Sequence, residues 1–227
     1  MREETGYYVS ASITSRILSF RHDCPLILPG TKYVPGIGVI MTADTCKVPL
    51  CPGGCLYCFC ALSTRKKHTE SVRLTLSDAS MKLVIRAIEI VKPDAITTAE
   101  KVELGFFPNA VKELQTLRAG IDKNIWMIFT TKFPEVWERL DAPNNAMLVT
   151  LSNPRQIAGL EPHIKPCIER AHGAYKAATT AKHLKVGVRA LIMAREDIEP
   201  LRKMIAVLKP YLDPNLIWVD FLREPFV

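Results

Sequence analysis

The sequence predicts an α/β protein, a partial (β/α)6 barrel in a single domain. Two observations carry this. Six short, near-continuously apolar runs recur along the chain, as strands covered on both faces do, and segments with helical spacing of apolar residues separate them. Strands alternating with helices require a parallel sheet with right-handed crossovers. Six such units are too few for a closed eight-unit barrel, so an open, TIM-like partial barrel is expected.

The first predicted strand is GIGVIMT, residues 36–42. A helix follows, with Ser77 as N-cap, Met81, Val84, Ile85, Ile88 and Val91 on one face, and Pro93 as its stop. KVELGFF (101–107) is read as the second strand, and Asn109 to Arg118 as a helix closed by Gly120. IWMIFTT (125–131) is the third strand, followed by a short helix from Pro134 to Leu140. AMLVTLS (146–152) precedes the longest helix, Pro166 to Leu184. VGVRALIM (186–193), a helix from Ile198 to Leu208 and LIWVDFL (216–222) complete the series. Residues 36–227 form the barrel domain in this reading, and residues 1–35, with Arg16, Arg21 and His22, an N-terminal extension that either packs on the domain or covers the open barrel side.

The chain of 227 residues is 48% hydrophobic and 23% charged, a composition that buries a full core and argues against disorder. Its longest apolar runs fall short of the roughly 20 residues a membrane span needs. The start MREETGYYVS has no apolar export signal, so a soluble, cytoplasmic protein without membrane partners is expected. The formal net charge of +7 suits an anionic partner such as nucleic acid, although the only dense basic run, Arg65-Lys66-Lys67-His68, reads as a solvated loop. The five histidines show no paired ligand spacing.

Cysteine usage is the most informative feature. Four of seven cysteines fall in CPGGCLYCFC, residues 51–60, after the first predicted strand and hence at the sheet edge where parallel folds place their chemistry. Neighbours this close rarely meet disulfide geometry, so metal ligation is the better reading. Cys51, Cys55 and Cys58 have C-x3-C-x2-C spacing, and Gly53 and Gly54 let the loop wrap closely. Thiolates in this pattern hold an iron–sulfur cluster or zinc; the second knuckle usual in structural zinc sites is missing. Three thiolates leave one iron of a [4Fe-4S] cluster open to a substrate or cofactor. Cys24, Cys46 and Cys60 read as packed or surface thiols, with a ligand role as the alternative and Cys60 as the candidate fourth ligand.

The motif Cys51-Pro52-Gly53-Gly54-Cys55-Leu56-Tyr57-Cys58, with an aromatic residue before the third cysteine, resembles the signature of the radical S-adenosylmethionine (SAM) superfamily. The resemblance implies that the open iron chelates the amino and carboxylate groups of SAM. It implies reductive cleavage to a 5′-deoxyadenosyl radical that abstracts hydrogen from substrate, and an electron donor of the flavodoxin or ferredoxin type. It also nominates contacts. Tyr57 lies where the family backbone runs near the adenine. Glu103-Leu104-Gly105 is the nearest equivalent of the family's Gly-Gly-Glu, which receives the SAM amino group. Lys132 is placed for the SAM carboxylate, Ser152 and Asn153 for the ribose hydroxyls, and Arg189 for carboxylate or ribose.

The second half is similar to the spore photoproduct lyase group. The residues concerned are Phe129-Thr130-Thr131-Lys132, Leu148 to Ser152, Leu160-Glu161-Pro162, Glu169-Arg170 and Val186-Gly187-Val188-Arg189. That likeness implies action on a nucleobase or nucleic acid. The group's hydrogen-donating cysteine has no counterpart, because none stands between Cys60 and Cys167, and Cys167 opens a helix instead. Two alternatives stay open: an activating enzyme that installs a glycyl radical on a partner protein, which usually keeps Gly-Gly-Glu, and a non-catalytic iron–sulfur or zinc module. The chain stops at Arg223-Glu224-Pro225-Phe226-Val227, so a C-terminal auxiliary-cluster domain is not expected.

Overall fold

The structure is a computed structural model that describes residues 9–10, 30–34, 38–42, 52–57, 78–98 and 103–221. Its sheet has eight strands in chain order: β1 (Val9–Ser10), β2 (Gly30–Val34), β3 (Gly38–Thr42), β4 (Ala95–Thr98), β5 (Trp126–Thr131), β6 (Asn145–Leu151), β7 (Lys185–Ile192) and β8 (Ile217–Phe221). From β3 to β8 every pairing is parallel. These six strands curl into a half-barrel, as expected. β1 and β2 pair antiparallel onto β3, so parts of the N-terminal segment continue the sheet.

The helices are α1 (Asp78–Val91), α2 (Pro108–Gly120), α3 (Trp137–Leu140), α4 (Cys167–Thr180) and α5 (Ile198–Leu208). Each lies in a crossover, and their apolar faces meet one face of the sheet. Side chains alternate along a strand, so Met41, Ile96, Met127, Phe129, Met147, Val149, Val186 and Val188 join Val84, Ile88, Leu114, Leu117, Ala174 and Leu201 in the main core. Alternate positions form a second cluster of Ile40, Ala95, Ile128, Ala146, Leu148 and Leu216, against which Trp126 and Trp218 pack. Burial on both faces explains why these strands read as unbroken apolar runs. Along α4, Cys167, Arg170, Ala171, Ala174 and Ala177 are buried at one-face spacing, and the alanines let the helix approach the sheet closely.

The second strand is not where the sequence suggests. Residues 95–98, AITT, form it, and Leu104–Phe106 make a 3-10 turn. All four residues of the short strand are buried between β3 and β5. KVELGFF carries more apolar residues, but Glu103 has no place in a strand covered on both faces. The helix expected over residues 166–184 ends at Thr180, and that over 134–140 is a 3-10 turn followed by α3. Ser77, the expected N-cap, lies outside the described residues.

At β7, Gly187 serves close packing: an ideal Cβ there would lie 2.1 Å from the carbonyl oxygen of Leu216. Among the described residues no helix is long and apolar enough to cross a membrane.

Candidate active site at the mouth of the half-barrel

Of the cysteine motif, Pro52 to Tyr57 are described; Cys51 and Cys58 lie outside the described residues, as do Cys24, Cys46 and Cys60. Cys55 is buried. Gly54 turns in the left-handed region at φ 64°, and a Cβ on it would come within 2.9 Å of Pro162. The loop thus packs directly against the segment between β6 and α4.

Strand ends β5 and β6 bring Lys132 and Ser152 to this loop. The Lys132 ammonium donates to Cys55 Sγ at 3.1 Å, to the Tyr57 hydroxyl at 2.5 Å and to Glu161 Oε1 at 2.7 Å. Those bonds spend all three of its protons. The hydroxyls of Tyr57 and Ser152 also donate to Glu161 Oε1, the latter at 2.8 Å, and lie 3.0 Å apart. Glu161 Oε2 accepts from Arg170 Nη2 at 2.8 Å, so four donors converge on one carboxylate, three on Oε1 and one on Oε2. Arg170 in turn donates to Thr150 O at 2.9 Å, Ser152 Oγ at 3.0 Å and Ser152 O at 2.6 Å.

Electrostatics follow from this arrangement. Burial works to raise the Glu161 carboxyl, yet the Lys132 and Arg170 charges dominate and hold it at about 2, so it is ionised. Burial also acts against charge on Lys132, but Tyr57, Cys55 and Glu161 reverse that effect and keep the ammonium above the lysine range. For Tyr57, burial wins over the neighbouring ammonium, and the phenol stays protonated. Two cations therefore face one carboxylate in a buried site. The Lys132 ammonium, in direct contact with Cys55 Sγ, is the cation placed to compensate negative charge on that sulfur.

The remaining nominated residues sit nearby in different roles. Glu103 accepts from the Thr131 hydroxyl and, at 2.8 Å, from the Lys132 backbone N–H; burial raises its carboxyl above the ordinary range despite these bonds. Gly105 lets the backbone pass the Phe133 ring, since a Cβ would lie 2.2 Å from it. Asn153, at φ 50°, closes a turn on itself: its Oδ1 accepts from Ile157 N–H at 2.8 Å and its Nδ2 donates to Ile157 O at 3.2 Å. Arg189 pairs with Asp220 on β8. It lies on the same sheet face as Thr150 by alternation, outside the Lys132 network. Cys167 is a packing residue, buried 3.7 Å from Met204 Sδ, and burial pushes its thiol up to about 11.

Sequence reasoning did not nominate Glu161 or Arg170 as site residues. Their signal was present: an acidic and a basic residue nine positions apart, the latter on a helix whose other inward positions are alanine and cysteine. No protein family matches the chain, and no curated protein matches it. Among the described residues no group of three metal-ligating side chains converges, with two of the three motif cysteines outside that set.

Proposed function

We propose that this chain is a radical SAM iron–sulfur enzyme, in which Cys51, Cys55 and Cys58 hold a [4Fe-4S] cluster that chelates SAM. The observation that carries the reading is the buried Cys55 sulfur beside the Lys132 ammonium at the C-terminal mouth of a parallel half-barrel. Its surroundings fit the group. The Lys132 ammonium suits a thiolate, and Gly54 allows the turn that a Cβ would block against Pro162. When bound, the reduced cluster supplies the electron that splits the SAM sulfonium, the source of hydrogen abstraction from substrate.

The chain's own residues hold and orient. Lys132 compensates negative charge on sulfur, and it reaches the SAM carboxylate by giving up its bond to Tyr57 or Glu161. Ser152 and Asn153 are assigned to the ribose, Tyr57 to the adenine side, and Glu103 with Gly105 to the SAM amino group. Arg189, at the adjacent strand, serves carboxylate or ribose. Phenol and ammonium keep their protons and donate them in hydrogen bonds to Glu161 and Cys55, so neither group acts as a competing base. A nucleobase or nucleic acid is the substrate class we attach, supported by the +7 net charge. An electron donor of the flavodoxin or ferredoxin type completes the proposal.

Anaerobic reconstitution with iron and sulfide, followed by EPR of the reduced protein with and without SAM, tests this. A SAM-dependent spectral change with 5′-deoxyadenosine formed supports it. A cluster that ignores SAM, or a site that retains only zinc, overturns it in favour of a structural module.

A further inference from the structure

Three consecutive residues between β6 and α4 each touch the sulfur loop. Leu160 O accepts the backbone N–H of Leu56 at 3.1 Å, Glu161 accepts the Tyr57 hydroxyl, and Pro162 fills the space beside Gly54. The segment itself is fixed from below and from both ends. Arg170, 0% exposed, holds Glu161 and the Ser152 carbonyl; the Asn153 side chain closes the turn to Ile157. Arg155 donates to the fully buried Asp197 at 2.8 Å, which also caps the backbone N–H groups of Met193 and Ala194 after β7.

We infer that Leu160, Glu161 and Pro162 form a clamp, anchored by Arg170, which holds residues 54–57 in their ligating shape and aims Lys132 at Cys55 Sγ before any metal arrives. Glu161 and Arg170 are thus positioning residues. They act on the sulfur through Lys132 and Tyr57, across 29 residues of sequence in one case and 104 in the other. The clamp's purpose rests on the cluster reading above; its existence does not.

A loop shaped only by its metal leaves the Leu56 amide open in metal-free protein. Leu56 is 67% exposed as a residue, so protection of its amide reports the bond to Leu160 rather than general burial. Hydrogen exchange by mass spectrometry on the full chain, metal-free and anaerobically reconstituted, is the test, with iron and sulfide counted in parallel. The expected result is protection of Leu56 in both wild-type forms, reduced about tenfold or more in Glu161→Gln and in Gly54→Ala. The first removes the charge that gathers the donors. The second inserts a methyl group against Pro162 without altering any hydrogen-bonding side chain.

Exposure of the Leu56 amide in metal-free wild type, with protection only after reconstitution, overturns the clamp and leaves the cluster reading intact. Unchanged protection in both variants also overturns it. Wild type that retains no iron or sulfide, with protection present and lost in the variants, leaves the clamp standing and removes the cluster reading.

Discussion

Arg170 and Glu161 form an ion pair at 2.8 Å with side chains 0% and 4% exposed, and this pair joins α4 to the segment that holds the sulfur loop. Lys132, Tyr57 and Ser152 all reach this pair through Glu161. Removing one partner of such a pair strands the other in a poor solvent for charge. Arg170→Met is therefore expected to cost on the order of 3–5 kcal/mol in denaturant unfolding. Arg170→Lys should recover little, because one ammonium cannot serve Thr150, Ser152 and Glu161 in the planar fork that Arg170 uses.

Two sequestered glutamates should respond to pH in opposite senses. The Glu161 carboxyl lies at about 2 against an ordinary 4.5, so its contribution is present above pH 4.5 and is lost as pH falls toward 2. That contribution is on the order of 3 kcal/mol. Glu103 is raised instead, so its term favours folding at low pH and fades as pH rises through the carboxylate range. Unfolding measured from pH 7 to pH 2 should show the acid loss in wild type and much less of it in Glu161→Gln. Glu103→Gln, which can still accept from the Lys132 N–H, should be near neutral or stabilising at pH 7.

Lys132→Met removes the only cation that touches Cys55 Sγ among the described residues. If the sulfur ligates iron, the loss of a hydrogen bond and a charge at a ligand should weaken metal retention about 10–100-fold. Iron content after reconstitution and desalting checks this. A wild-type iron content in the variant would separate Lys132 from the metal.

Gly187 and Gly159 separate close packing from backbone strain. Gly187→Ala places a methyl group onto the Leu216 carbonyl and should cost about 3 kcal/mol in urea unfolding. Gly159, at φ 77° with nothing within 4 Å of an added Cβ, should cost only about 1 kcal/mol on the same change.

Several parts of this molecule were legible locally. Doubly buried strands announce themselves as apolar runs, so five of the parallel strands fall within a residue or two of their expected limits. The exception, AITT, is short and half threonine, and a longer apolar run beyond it drew the assignment. Lys132 and Ser152, which the structure brings to the Tyr57 hydroxyl, were nominated by their strand-end position. Glu161 was not, because it lies in an irregular segment whose placement depends on Arg170.

The sequence by itself determined the alternation of strand and helix, hence a parallel sheet with a mouth at one edge, and set a cysteine loop beside that mouth. Periodicity and local burial suffice for those features, since each is encoded within a few residues. Tertiary packing brings Lys132 to Cys55 across 77 residues, and sets Glu161 between Lys132 and Arg170 with donors on both carboxylate oxygens. Charges so far apart in the chain meet through strand register and helix packing. No local pattern records which carboxylate will neutralise which cation.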